Sequence, residues 1–308
     1  MSKYFKALER ARQERLVEEK DWNLWSTENL SERPSSPQDE PESDWKLDSA
    51  ASNGDEARPE EQASAERTQE FPDGPVEEHL VSLITPASFE ADQYRSLRYV
   101  VERLRKDRGF SLIAIASPGM GDGKTTTAIN LAGALAQDSR CRVLLVDADL
   151  RGSSLESYLG VSESDGPGVV DAIVNPALSA KDIERRLSSF NLSILPRGHR
   201  MVNPYDALKS PRLGQLLQEA RRRYDFVVVD TPPLIPLPDC RVIGPLMDGF
   251  LIVVAAHKTP RRLLEEALNV MDPAKVIGIV FNRDDRPLPR YFHYYTDGHR
   301  ANGNSRLA

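Results

Sequence analysis

The stretch Ser117-Pro118-Gly119-Met120-Gly121-Asp122-Gly123-Lys124-Thr125-Thr126-Thr127 constrains the fold of this chain more than any other. An apolar run, Phe110 to Ala116, precedes it, and a helical pattern, Ala128 to Ala136, follows. Strand, glycine-rich turn, Gly-Lys-Thr and helix together make a cradle for nucleotide phosphates. Glycines let backbone N–H groups turn toward phosphate oxygens, and the helix behind adds the positive end of its dipole. In such a cradle Lys124 reaches the β- and γ-phosphates, and the Thr125 hydroxyl ligates magnesium.

The remaining apolar pattern places that cradle in a sheet. Strands are expected at 110–116, Val143–Val146, Leu192–Leu195, Phe226–Val229, Phe250–Ala255 and Val276–Phe281. Helical segments separate them, among them Pro211–Arg223 and Pro260–Val270. An earlier helix is expected from about Pro86 to Arg108, with Tyr94, Leu97, Val101 and Leu104 on one face. Uninterrupted apolar strands alternating with helices indicate an α/β fold, a doubly wound and mostly parallel sheet covered on both faces. Ligands of such sheets sit at the carboxyl ends of the strands. Two acidic motifs fall there: Asp147-Ala148-Asp149-Leu150-Arg151 and Asp230-Thr231-Pro232-Pro233. A lone acid at a strand end is usually a cap or turn former. Here Thr125, Asp147 and Asp230 together supply the hard oxygens that magnesium takes. Asp149 and Arg151 are also read as an ion pair that shapes their loop.

Charge divides the chain. Residues 1–20 carry six Lys/Arg and four Asp/Glu, and residues 21–80 carry four and seventeen. With a total of −7, residues 81–308 are left with about +4. The acidic stretch is rich in Glu, Ser, Pro, Asp and Ala and has no sustained apolar period, so residues 21–80 read as a disordered linker. Trp22, Trp25 and Trp45 within it are docking points or stray aromatics. In residues 1–20, Tyr4, Phe5, Leu8 and Leu16 fall near one helical face, which suits a partner-docking helix or a frayed surface helix equally. Met1-Ser2-Lys3 leads into charged residues, so no secretory signal is read, and no stretch reaches the length of a membrane span. Cys141 and Cys240 are in no metal-like spacing and are expected to be reduced. A cytoplasmic protein is expected, and the absence of a dense basic run argues against nucleic-acid binding.

The three motifs together resemble the bacterial tyrosine kinases of capsule and exopolysaccharide synthesis, the BY-kinases, within the deviant P-loop ATPases. Leu144 to Arg151 matches that family's second Walker motif, and Asp230 to Pro233 matches the third. Likeness continues through Leu195-Pro196-Arg197-Gly198, Asn203-Pro204, Ser210-Pro211-Arg212, Asp248-Gly249 and Phe281-Asn282-Arg283, over roughly residues 88–285. Three departures stand out. Pro118 replaces the first glycine of the general cradle pattern, and Met120 sits where the kinases often have proline. Gly119 replaces the second lysine of the partition ATPases, which points away from that subgroup.

The resemblance implies a kinase domain over residues 86–285. ATP would be held by Gly119, Met120, Gly121, Asp122, Gly123, Lys124, Thr125 and Thr126, with Asn282 and Arg283 at the adenine. Magnesium would be held by Thr125, Asp147 and Asp230. Lys124, Asp147, Asp149 and Asp230 would carry catalysis, with Asp147 before Asp149 as the group that meets the tyrosine proton. The helix carrying Asp92, Arg95 and Arg98 resembles the family's oligomerisation motif, with Asp for Glu, and implies a homo-oligomeric ring. Tyr291, Tyr294 and Tyr295 lie in a flexible polar tail, 286–308, and resemble the family's terminal phosphoacceptor cluster. An aromatic clip packed on the core is the other reading of that tail. The resemblance further implies a membrane polysaccharide co-polymerase as activator, recruitment to the inner face of the membrane, and a phosphotyrosine phosphatase. A non-kinase ATP switch and a scaffold stay open as alternatives.

Overall fold

The computed structural model describes residues 68–69, 75–161, 166–201, 203–235 and 237–284, all within the unit spanning residues 65–308. The segment 1–20, the three tryptophans and the tail tyrosines lie outside the described residues.

Among the described residues, eight strands form one sheet: β1 (Thr68–Gln69), β2 (Leu112–Ala116), β3 (Val143–Asp147), β4 (Arg185–Leu187), β5 (Leu192–Leu195), β6 (Phe226–Asp230), β7 (Gly249–Ala255) and β8 (Val276–Asn282). Their order is β1-β4-β5-β3-β6-β2-β7-β8. Every pairing is parallel except β4 with β5. The six strands expected from the apolar runs are all present, each within a residue or two of its expected bounds.

The apolar runs are uninterrupted because each strand feeds two cores. Leu112, Ala114 and Ala116 of β2 face one cluster, with Leu144, Val146, Val227, Val229, Phe250 and Ile252. Ile113 and Ile115 face the other, with Val143, Leu145, Val228, Leu251 and Val253. Side chains alternate across a strand, so a sheet covered on both faces has no polar position to spare. The helix Pro211–Arg223 seals the first core through Leu213, Leu216, Leu217 and Ala220. The helix Lys124–Ala136 seals the second through Ile129, Leu131, Ala132 and Leu135.

Three differences from the sequence reading have local causes. The helix expected from Pro86 begins at Phe89, because the Ser88 hydroxyl accepts from Ala91 N at 3.1 Å and caps it there. Strand β4 went unread because Arg185-Arg186-Leu187 is short and charged. Arg185 is buried and pairs with Glu156. The acidic linker expected over 21–80 gives way to fold before residue 80. Leu80 is 0 % exposed in the second core. Asn130, fully buried on the cradle helix, accepts from Ser82 N at 2.8 Å and donates to His79 O at 2.8 Å. These contacts outweigh the polar composition of the residues before Leu80. Both cysteines are free, and burial pushes the Cys240 thiol up to about 12.

Leu80→Ala should therefore destabilise the folded unit by about 2–5 kcal/mol, as for other buried leucines. Urea unfolding of the variant against the unaltered chain measures it. A change within about 0.5 kcal/mol, the size of an ordinary surface substitution, would contradict the packing described.

Candidate active site

The cradle follows β2. Gly121 and Gly123 have φ of 74° and 94°, in the left-handed region that side chains avoid. A Cβ on Gly123 would lie 1.9 Å from Asn282 Nδ2. That amide donates to Asp122 O at 3.0 Å, so the end of β8 grips the loop by its backbone. The third motif runs along the other side. Leu234 N donates to Ser117 O at 2.8 Å and Ile235 N to Pro118 O at 3.2 Å. The loop is fixed from both flanks before any ligand is considered.

Sheet register sets the acids. Asp147 and Asp230 are the last residues of β3 and β6, and they pair directly across the two strands. Both are buried. Thr125 Oγ1 donates to Asp230 Oδ2 at 2.7 Å, and Leu155 N donates to Asp147 Oδ2 at 3.1 Å. The Oδ1 atom of each carboxylate has no hydrogen-bond partner. Lys124 Nζ stands 2.7 Å from Asp149 Oδ2, with both side chains mostly buried. Asp149 also accepts from Gly152 N at 3.0 Å.

The charges follow from this crowding. Burial raises the Asp230 carboxyl from its ordinary 3.8 to about 7, with Lys124 and Thr125 pulling the other way. Burial, then the neighbouring Asp230, holds Asp147 well above its ordinary value. Burial alone would lower Lys124, but Asp230 and Asp149 outweigh it and the ammonium is held more firmly than usual. Two unpartnered buried carboxylate oxygens beside a hydroxyl fit a hard divalent cation. Among the described residues no cluster of three or more His, Cys, Asp or Glu could hold a metal alone. Magnesium takes one or two carboxylates and completes its shell with phosphate and water.

The other residues singled out in the sequence fall as follows. Gly119 N donates to Asp122 Oδ2 at 3.0 Å, so neither group points freely at a ligand. Met120 is 82 % exposed at the loop tip, and Thr126 lies half-buried on the first turn of the helix. Asn282 spends both ends of its amide on backbone, the second accepting from Arg283 N at 2.9 Å, and Arg283 is exposed. Asp92 and Arg95 pair with each other at the surface. Arg98 is 21 % exposed and donates to Ala134 O at 2.9 Å and Glu102 at 2.6 Å. The ion pair read between Asp149 and Arg151 is not the one formed. Asp149 pairs with Lys124, and Arg151 Nε donates to Asp239 Oδ2 at 2.8 Å.

Asp239 is a residue the sequence reading missed. It is fully buried, and its Oδ1 has no partner. Arg197 is another, quoted in a motif but given no role. It is buried, donates to Gly152 O at 2.7 Å and keeps an unpartnered Nε. No spacing or periodicity marks either one, since a loop delivers Arg197 and Asp239 opens the short helix Asp239–Ile243.

A buried parallel sheet, with a Gly-Lys-Thr cradle after an interior strand and paired acids ending two neighbours, defines the P-loop nucleoside-triphosphatase class. A family model described as an AAA domain matches residues 110–257. The tyrosine-protein kinase YwqD of Bacillus subtilis (strain 168) is 28 % identical over 225 residues, covering 71 % of this chain and 92 % of YwqD. The succinoglycan biosynthesis transport protein ExoP of Rhizobium meliloti (strain 1021) is 32 % identical over 208 residues, 65 % of this chain but 26 % of ExoP. Among solved structures, the BceF tyrosine kinase domain aligns with a TM-score of 0.59 and 29 % identity, over 66 % of this chain and 81 % of that one. The chain is similar to bacterial tyrosine-protein kinases in sequence and in fold. It spans nearly all of a relative such as YwqD and about a quarter of one such as ExoP.

The raised Asp230 carboxyl has a measurable consequence without ligand. Between about pH 4 and pH 7 the folded protein keeps a proton that the unfolded chain releases. Its contribution to stability is full below about pH 4 and is lost as pH rises through about 7, by at most about 1.4 kcal/mol per unit. Asp230→Asn should therefore become more stable relative to the unaltered chain as pH rises across that window. Chemical denaturation at several pH values reads it, and a difference that does not change with pH would refute it.

Proposed function

We propose that the chain is a magnesium- and ATP-dependent protein-tyrosine kinase. Its acceptors are Tyr291, Tyr294 and Tyr295, and its role is to regulate capsule or exopolysaccharide synthesis or export. One observation carries the reading: Lys124, Thr125 and the unpartnered oxygens of Asp147 and Asp230 converge at adjacent strand ends behind a glycine loop. Thr125, Asp147 and Asp230 would hold magnesium, which when bound neutralises charge on the phosphates. Lys124 meets the β- and γ-phosphates. Asp149, its partner in this structure, must release it as they arrive. Asp147 orients the acceptor hydroxyl more than it removes the proton, because a carboxylate is a weak base for a phenol of pKa about 10.

A tail acceptor suits a ring, in which one copy reaches its neighbour's site. Asp92 and Arg95, half-exposed on the helix Phe89–Arg108, and the exposed Tyr99 and Val100 beside them support such a contact. Arg98 supports it less, being tied to Ala134 and Glu102. Among the described residues no helix is long and apolar enough to cross a membrane. A membrane co-polymerase serves as activator and brings the chain to the inner face of the membrane. A phosphotyrosine phosphatase reverses the modification.

A second reading is a non-kinase ATP switch that assembles partners of the same machinery. It is favoured by the extent of the AAA-domain match, which covers the nucleotide core and stops short of the tail. Incubation with magnesium and ATP, followed by phosphosite mapping, separates the two. Phosphotyrosine at 291, 294 or 295 is expected, and Lys124→Ala should reduce it at least about a hundredfold. ATP hydrolysis without phosphotyrosine, unchanged by Tyr→Phe at all three positions, would replace the kinase with the switch.

A further inference from the structure

The phosphate cradle contains an acid, which is an odd choice where a polyanion must bind. Asp122 is 4 % exposed, and among the described residues no ion pair reaches it. Two neutral donors hold its carboxylate. Gly119 N donates to Oδ2 at 3.0 Å, and Thr259 Oγ1 donates to Oδ1 at 2.6 Å. Thr259 stands outside every nucleotide motif, 137 residues on in the chain. A tight turn after β7 delivers it. Lys258 N and Thr259 N both donate to Ala255 O, at 3.2 and 3.0 Å, and His257 takes a φ of 59°. The Thr259 hydroxyl closes that turn by accepting from Ala255 N at 2.9 Å. Its one proton is then committed to Asp122. The turn overlies the loop closely. Lys258 Nζ lies 3.9 Å from where a Cβ on Gly121 would stand, and Leu263 Cδ2 lies 3.1 Å from one on Gly119.

From this geometry we infer that Thr259 is a positioning residue of the nucleotide site. It anchors the Asp122 carboxylate, and through it the Gly119 amide, in the conformation that leaves the remaining loop amides open to phosphate. The inference rests on the nucleotide-binding part of the function proposed above and not on the identity of the acceptor. Without the hydroxyl, Oδ1 is a buried acceptor with no donor, a costly arrangement that the loop relieves by moving. The moved loop carries a free carboxylate toward the phosphates.

Affinity for magnesium-ADP, measured by calorimetry on the full chain, tests this, with the melting temperature of the nucleotide-free protein recorded in parallel. Thr259→Val keeps size and removes the donor, and should weaken binding about tenfold. Thr259→Ser keeps the hydroxyl and should stay within about threefold of the unaltered chain. In an Asp122→Asn background Thr259→Val should have little further effect, because the two residues act as one unit. A purely structural role would lower the melting temperature of the nucleotide-free protein and leave affinity unmoved. Unchanged affinity in Thr259→Val, equal loss in the Ser variant, or independent losses at 122 and 259 would each overturn the inference. If Thr259→Val does not fold, Asp122→Asn decides alone: a loss of similar size supports the brace and unchanged affinity refutes it. If the unaltered chain binds no magnesium-ADP, the nucleotide reading itself falls, a result distinct from loss confined to variants.

Discussion

The site depends on β3 and β6 lying side by side and in register. Because the pairing is parallel, both strands reach the same edge together, and their last residues are Asp147 and Asp230. Two buried like charges repel and lose hydration, so the pair favours a proton or a cation between them. The cradle helix answers from its first turn. Lys124 lowers the field at Asp230, and Thr125 donates to it. The same contacts hold the oxygens that face a metal. Sheet pairing, helix placement and ion chemistry are thus a single constraint met once.

Much of this was legible in the sequence, for physical reasons. The strands were found because a sheet buried on both faces requires unbroken apolar runs. The carboxylates were found because an acid directly after such a run lies at the ligand edge of the sheet. Lys124 and Thr125 were found because the glycines around them have a narrow set of uses. What stayed hidden came from contacts between distant segments. Leu80 sits in polar surroundings and is buried by packing on a helix whose sequence gives no sign of a partner. Arg197 arrives by a loop and Asp239 at the head of a five-residue helix, both too short or irregular to show a period. The Arg151 partner was misassigned because the nearer acid, Asp149, is claimed by Lys124, and local spacing carries no information about such competition.

Likeness to relatives and local geometry answer different questions. The relatives are named as kinases, while the family model that matches covers the nucleotide core alone. In the proposed kinase, discrimination between the two activities would rest on the helix Phe89–Arg108 and the terminal tyrosines. It does not rest on the cradle, which serves either chemistry. The Lys124–Asp149 pair has the same neutrality, since it must open for phosphate whatever receives the phosphoryl group.

The clamp between Asn130 and residues 79–82 sets a direction for force. The backbone of His79 and Ser82 is fastened to the cradle helix six residues beyond Lys124, and not to any strand. The chain ahead of residue 79 is held at β1 as well, so tension on it is divided between the sheet edge and the helix that presents Lys124 and Thr125.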